Sequence, residues 1–156
     1  MQNPADFPAP SLLRQLAAMF YDSWLVLATL IFSVALLVGL RVLVDGTPAT
    51  GEHALGGAWR LPTFVVMLLV SCHFFVYFWH KSGQTLAMQT WRIKVVADNG
   101  DAINYRQAYL RFLAAGLSMA CLGLGYLWML VDRQNKSWHD HLSGTRLVLL
   151  PKPAKS

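Results

Sequence analysis

The chain has 156 residues, 13 basic and 8 acidic, with a net charge of +5; it is 55% hydrophobic and only 13% charged. That is about half the charged share of ordinary soluble domains, roughly 25%, which excludes a typical soluble enzyme. One compact unit is expected from the length. The positive balance does not read as a nucleic-acid surface, because no basic face remains once the long apolar runs are set aside.

In chain order, the first element is Ser23 to Leu40, SWLVLATLIFSVALLVGL, 18 residues without a charge. As a helix rising 1.5 Å per residue it covers about 27 Å, close to a bilayer's hydrocarbon thickness of about 30 Å. The helix can begin near Ser11, a good cap after Pro10, giving a first span over 12–41 behind a flexible tail of residues 1–10. A cleaved signal peptide is not expected, since the run is too long and no small-residue cleavage site precedes Arg41.

The second run, Leu61 to Trp79, has 19 residues, with Pro62 suited to a first helical turn and Trp59 and Trp79 bracketing it as interfacial aromatics do. Cys72 in this run and Cys121 in the next are read as small hydrophobes, not as a disulfide framework. The third run, Tyr109 to Val131, is interrupted by Arg111, Gly116, Gly123 and Gly125. Its small residues Ala115, Gly116, Ser118 and Ala120 allow close helix approach in lipid.

The connections differ. Between the first two runs, Arg41 and Arg60 balance Asp45 and Glu52 in a Gly-, Pro- and Thr-containing stretch. Between the second and third, Trp91–Ala97 (WRIKVVA) alternates, is rich in β-branched residues, and is followed by Asn99-Gly100. That pattern predicts a short β-hairpin within 81–104, with Arg146–Leu150 as a third strand.

Basic residues set the orientation. With the N-terminus inside and three full crossings, six Lys and Arg fall inside and seven outside; with the tail also inside, the count is eleven against two. The positive-inside rule favours the second layout. It requires the third segment, 105–131, to be a broken or re-entrant helical pair, since about 23 residues cannot span twice.

Several motifs recur in a telling order: Arg14 with Tyr21-Asp22, then Gly83-Gln84-Thr85-Leu86, then Trp91–Gly100, then Arg111, then Ser137–Val148 (SWHDHLSGTRLV). In order and spacing they resemble the RDD family of bacterial membrane proteins, named for one arginine and two aspartates, over roughly Leu12 to Leu149. The resemblance implies a multi-pass membrane protein of unknown function, with transport as the suggested role. It assigns the first aspartate to Asp22 and the second to Asp140. The family arginine falls on Arg14 or, counted back from Asp22, on Gln15, where this chain departs from the pattern. Ala87 and Met88 also stand where a glycine and a basic residue are common.

The polar candidates are Arg14, Asp22, Arg111, Asp140 and His73. Asp22 reads either as an ion-coupling carboxylate facing the bundle interior or as the marker of the span's cytoplasmic end. Arg14 is two turns before it, too far for a salt bridge, so Arg111 is the expected cross-helix partner, and such a pair would be structural. His73 and His80, seven apart, share a helix face as a conceivable relay or as hydrogen-bonded side chains. Trp138–His141 fits no standard zinc spacing, so no metal is expected, and Asp140 reads as a cap or a binder of backbone N–H groups. No nucleotide loop or catalytic motif is present, so neither enzyme activity nor a cofactor is expected.

The expected fold is all-α: a small transmembrane bundle of three apolar segments, the third broken or re-entrant, with a short cytoplasmic β-hairpin. Its expected place is the inner membrane of a bacterium, both termini cytoplasmic. Transport of a small solute or ion through Asp22, in a homo-oligomer or with a membrane-protein partner, is the first functional expectation. The alternative is a non-transporting module that binds a protein or anionic lipid through its basic loops.

Overall fold

The computed structural model describes residues 4–45 and 57–152. Glu52 and Lys155, and the irregular connection expected between the first two runs, lie outside the described residues. The chain is mainly helical, and its contacts divide it into two units, one of residues 1–22 and 75–156 and one of residues 23–74.

The 23–74 unit holds most of two long helices. Helix α1 covers Leu12–Asp45 and begins directly after Ser11; its 34 residues extend about 51 Å, far more than the hydrocarbon layer needs. Helix α2 covers Arg60–Ser82. Both are long and apolar enough to cross a membrane. Their large side chains, Ile31, Phe32 and Leu36 on α1 and Leu61, Phe64 and Leu69 on α2, point outward. Lipid tolerates that arrangement and water does not. Three hydroxyls on these helices bond back to their own backbone, Thr29 to Leu25, Ser33 to Thr29 and Ser71 to Met67, and so are satisfied without water. The Arg41 guanidinium lies over the Trp59 ring, 4.8 Å from its centre.

The other unit is smaller-grained. After α2 come the short helix α3, Leu86–Thr90, the strand β1, Ile93–Ala97, and the helix α4, Tyr105–Ala120. Then follow α5, Leu124–Leu127, with a 3-10 turn at Trp128–Leu130, the helix α6, Trp138–Ser143, and the strand β2, Thr145–Leu149. The strands pair antiparallel, Ile93 opposite Leu149 and Ala97 opposite Thr145. Ile93, Val95, Val96 and Val148 form the core with Ile103.

Two expectations are corrected here. The strand pair is not a local hairpin, and among the described residues the sheet has no third strand: β1 pairs with the distant β2. Asn99-Gly100 does make a tight turn, with Gly100 N–H bonded to Ala97 O at 2.8 Å and the Asn99 side chain to Asp101. The residues after the turn cannot form a return strand, because Asn104 and Gln107 close a capping box that starts α4. Nor are residues 5–10 a free tail. Pro8 O accepts from Leu149 N–H at 2.8 Å, Ala5 O accepts from Arg146, and Gln15 donates to Pro10 O, which ties the N-terminal segment to β2 and to α1.

The third apolar run is broken. Helix α4 and the segment Leu124–Leu130 meet at 107° across residues 121–123. Leu122 and Gly123 both take left-handed conformations, φ 56° and 78°, and two such residues in succession end a right-handed helix. Gly125 then packs so closely on Ser118 that a Cβ built there would lie 2.6 Å from the Ser118 Cβ. Helix α4 buries its small and polar stripe, Ala108, Arg111, Ala114 and Ser118, while Leu113, Leu117 and Met119 face outward.

Candidate functional site

The densest polar cluster lies where α4, α6 and β2 meet. Arg111, on the buried stripe of α4, donates through Nη1 to Asp140 Oδ1 at 2.5 Å and to Thr145 Oγ1 at 2.7 Å. Its guanidinium also lies over the Trp79 ring, 5.4 Å from the centre. Asp140 is the third residue of α6, and its Oδ2 takes hydrogen bonds from Ser137 N–H at 2.9 Å and Ser137 Oγ at 2.5 Å. Ser137 and Asp140 are thus a capping box, a Ser-x-x-acid spacing visible in SWHD.

Proton accounting fixes the rest. Ser137 gives its hydroxyl hydrogen to Asp140, so at 2.9 Å it accepts from His139 Nε2, which places the imidazole proton there. Ser143 gives its hydrogen to His139 O at 2.5 Å, so Thr145 Oγ1 donates to Ser143 across 2.7 Å. A single chain of donors therefore runs from Arg111 through Thr145 and Ser143 to the α6 backbone. His139 Nδ1, Arg111 Nε and the Nε1 of the neighbouring Trp79 are buried without a hydrogen-bond partner.

The electrostatics agree with a closed cluster. Burial raises the Asp140 carboxyl, but Arg111, His139 and the Ser137 hydrogen bonds outweigh it and hold Asp140 below the usual carboxylate range. Burial, reinforced by Arg111, pushes His139 down to about 3, so the ring stays neutral near pH 7. At the cluster's rim Asp132 accepts from the backbone N–H groups of Lys136 and Gln134, and His141 lies 3.2 Å from it; these hold its carboxyl below the usual range. Ser137, His139 and Asp140 do not form a nucleophilic relay. The serine proton runs to the aspartate directly, and the histidine does not touch Asp140 through its free nitrogen.

Asp22 lies elsewhere in the same unit. On α1, Gln15, Ala18 and Asp22 form the buried face. Asp22 Oδ2 accepts from Thr85 Oγ1 at 2.5 Å, and Thr85 itself accepts from Met88 N–H as the cap of α3. The Ala87 amide makes a weaker contact with the carboxyl, and Oδ1 is buried without a hydrogen bond of normal geometry. Arg111 is therefore the partner of Asp140, not of Asp22 as expected. The arginine stripe faces α6, whereas the Asp22 face meets the Gly83–Thr85 turn, whose Gly83 O is held by Val95 N–H at 2.8 Å.

The remaining candidates separate. Arg14 is half-buried on α1, and Gln15, one residue on, fills the inward position seven before Asp22. His73 is exposed on the 23–74 part of α2, while His80 belongs to the other unit, with its Nδ1 3.2 Å from Ile103 O and its ring stacked 3.7 Å from Tyr105. Thr85, Ser143 and Thr145 were not anticipated as partners. Hydroxyl residues are common in loops, and nothing in the spacing of Thr85 or Thr145 ties them to Asp22 and Arg111, 63 and 34 positions away.

Comparison with known proteins places these residues in a family. The RDD family model matches residues 9–144, which includes Gln15, Asp22, Arg111 and Asp140. The chain belongs to the RDD family. RDD proteins are bacterial membrane proteins, in keeping with the two apolar helices and the bent pair. Among relatives, the chain is 28% identical over 86 residues to the uncharacterized protein RP437 of Rickettsia prowazekii (strain Madrid E). That match covers 54% of this chain and 47% of the relative, so the chain spans about half that protein's length. No solved structure matches it. In this RDD chain Asp22 and Asp140 have different settings: Asp140 is paired with Arg111 and bonded to Ser137, whereas Asp22 meets the Thr85 hydroxyl and the Ala87 amide with no cation beside it.

Proposed function

We propose that this RDD protein moves a small ion or solute across the bacterial inner membrane without catalysing a chemical reaction, with Asp22 as the coupling carboxylate. The supporting observation is that Arg111, the cation expected beside Asp22, is engaged by Asp140, while the buried Asp22 carboxyl has only the neutral Thr85 hydroxyl and Ala87 amide as donors. A buried carboxylate in an apolar helix is costly and tends to face a partner or a hydrated path, and no Lys or Arg among the described residues pairs with this one. A group in that state can take up and release a proton or cation, which the Asp140 pair cannot do without breaking. Two or three apolar segments enclose little space, so the path is proposed to form in a homo-oligomer. The eleven-to-two distribution of Lys and Arg supports cytoplasmic termini.

Ion-gradient dissipation in proteoliposomes, wild type against Asp22→Asn, tests this reading. Flux above empty liposomes that is lost in Asp22→Asn supports it. Flux equal in both, or absent from the wild type across a panel of monovalent cations and protons, removes it.

A second reading follows from the exposed cations Lys81, Arg106, Arg133 and Lys152 on the unit that carries the sheet. They suit docking of a protein partner or of anionic lipid. Binding that requires those charges and collapses in high salt, together with an inactive flux assay, would favour it.

A further inference from the structure

We infer that the third apolar segment is a re-entrant wedge: it enters and leaves the bilayer by the face on which the sheet lies, and its outer side packs on the acyl chains of that one leaflet.

The route of the chain carries this. Helix α4 starts with Tyr105 stacked on His80, near the end of α2, and by Phe112 it has reached Phe75, whose ring centre lies 6.1 Å away. Seven residues of α4, about 10 Å, thus advance it five residues, about 7.5 Å, along α2 toward that helix's apolar middle. This is an oblique entry. At residues 121–123 the chain turns by 107°, and α5 folds back so that Gly125 meets Ser118 and the Trp138 ring. The way out is marked by charge. Lys136, just after the run, places its Nζ 2.7 Å from Asp98 Oδ1, and Asp98, just before the run, also accepts from Arg146 of β2. A segment that crossed once would put Lys136 and Asp98 on opposite sides of about 30 Å of hydrocarbon. A direct ion pair between them is incompatible with that.

The same geometry identifies the occupant of the outer face. The inward stripe of α4 is covered by α6 and holds the Arg111–Asp140 pair, so the charges of that pair are shielded by protein. The outward face carries Leu113, Leu117, Leu122, Leu127 and Trp128, all exposed. Leu122 at the tip is 92% exposed. Neither arm is long enough to cross, at about 24 Å for α4 and about 10 Å for Leu124–Leu130. Water is a poor solvent for that tip and acyl chains are a good one.

Cysteine reporters in the full-length protein, reconstituted in liposomes of known orientation, test the inference. It rests on the chain residing in a bilayer and not on Asp22, and no flux is measured, so it can fail or stand independently of transport. Asn99→Cys and Gln134→Cys, each in a Cys72→Ala/Cys121→Ala background, are expected to react with a membrane-impermeant maleimide from the same side. Labelling from opposite sides overturns the inference, and Arg133→Cys repeats the measurement should Gln134→Cys fail to yield folded protein. Native Cys121, left alone by Cys72→Ala and tagged with a small fluorophore, is expected to lose most of its emission to acyl-chain nitroxide lipids and little to aqueous iodide. The same is expected at Leu122→Cys. Quenching by iodide at both positions, or by neither agent at both, overturns the lipid contact.

Discussion

Arg111 on α4 and Asp140 on α6 meet at 2.5 Å with each side chain only 3% exposed, which joins the broken apolar run to the polar segment that follows it. Their pairing closes a network in which Ser137, Ser143 and Thr145 each serve two partners. Removing one member of such a pair leaves the other charged and buried. Arg111→Leu or Asp140→Leu alone is expected to cost about 3–5 kcal/mol. The double replacement is expected to cost clearly less than the sum, because no orphan charge remains. Equilibrium unfolding in detergent, followed by near-ultraviolet circular dichroism, measures both; additive losses would mean that the pair is not coupled.

Acid sensitivity follows from the same cluster. His139 titrates at about 3 in the folded chain, below the ordinary 6.5 that it regains on unfolding. Above pH 6.5 the ring is neutral in both states and contributes nothing to the pH dependence. As pH falls from 6.5 toward 3, only the unfolded chain takes the proton, so stability drops, by about 1 kcal/mol per pH unit. Asp140 acts lower: its contribution is complete above the ordinary carboxylate value near 4 and is lost as pH falls through its depressed folded value. Unfolding midpoints should therefore decline from pH 6 to 4 in the wild type. In His139→Gln that upper slope should flatten, while the fall below pH 4 persists.

The sequence shows some of this directly and some not at all. Two apolar helices are legible because an uncharged run as long as Ser23–Leu40 or Leu61–Trp79 has few stable environments besides lipid. The strand at 93–97 is legible from its β-branched residues, but its partner is not: local turn chemistry at Asn99-Gly100 favours a hairpin, and only the capping box at Asn104–Gln107 diverts the chain into a helix. The break near Gly123 could be anticipated because interruptions cluster there and basic residues follow. In the cluster, the sequence reads Asp140 as a cap of the turn into LSGT or a binder of backbone N–H groups, and it does accept from the Ser137 N–H, whereas its ion pair with Arg111 depends on α6 folding back along α4. Asp22 and Arg111 look complementary in sequence because both are charges in apolar runs. Tertiary geometry decides between Asp22 and Asp140 as the arginine's partner, and sequence spacing carries no information about that choice.

The bend of the wedge depends on a missing side chain. A Cβ at Gly125 would overlap the Ser118 side chain and approach the Trp138 ring to 3.1 Å. Gly125→Ala is therefore expected to destabilise by about 1–3 kcal/mol, as overpacking in a close-fitted site does. Ser118→Gly removes both overlapping atoms, so the pair Gly125→Ala/Ser118→Gly should recover part of that loss despite the cost of a helix-interior glycine. The comparison is made by thermal unfolding of the three variants in one detergent. Equal destabilisation of Gly125→Ala with and without Ser118→Gly would place the strain elsewhere.

A single hydroxyl, that of Thr85, joins α1 to α3: it donates to Asp22 and accepts from Met88 N–H. Thr85→Val keeps the shape and removes both bonds. Losing the cap costs about 1 kcal/mol, and leaving the buried Asp22 carboxyl without its donor costs about a further 1–3 kcal/mol. Thr85→Ser should behave as wild type. Asp22→Asn stands apart, because its carbamoyl oxygen still accepts from Thr85, and a cost under about 1 kcal/mol is expected. The stability of Asp22→Asn and its flux are thus separable quantities. A variant that unfolds like the wild type but conducts nothing assigns the loss to the missing charge, whereas one that unfolds as readily as Thr85→Val assigns it to the fold.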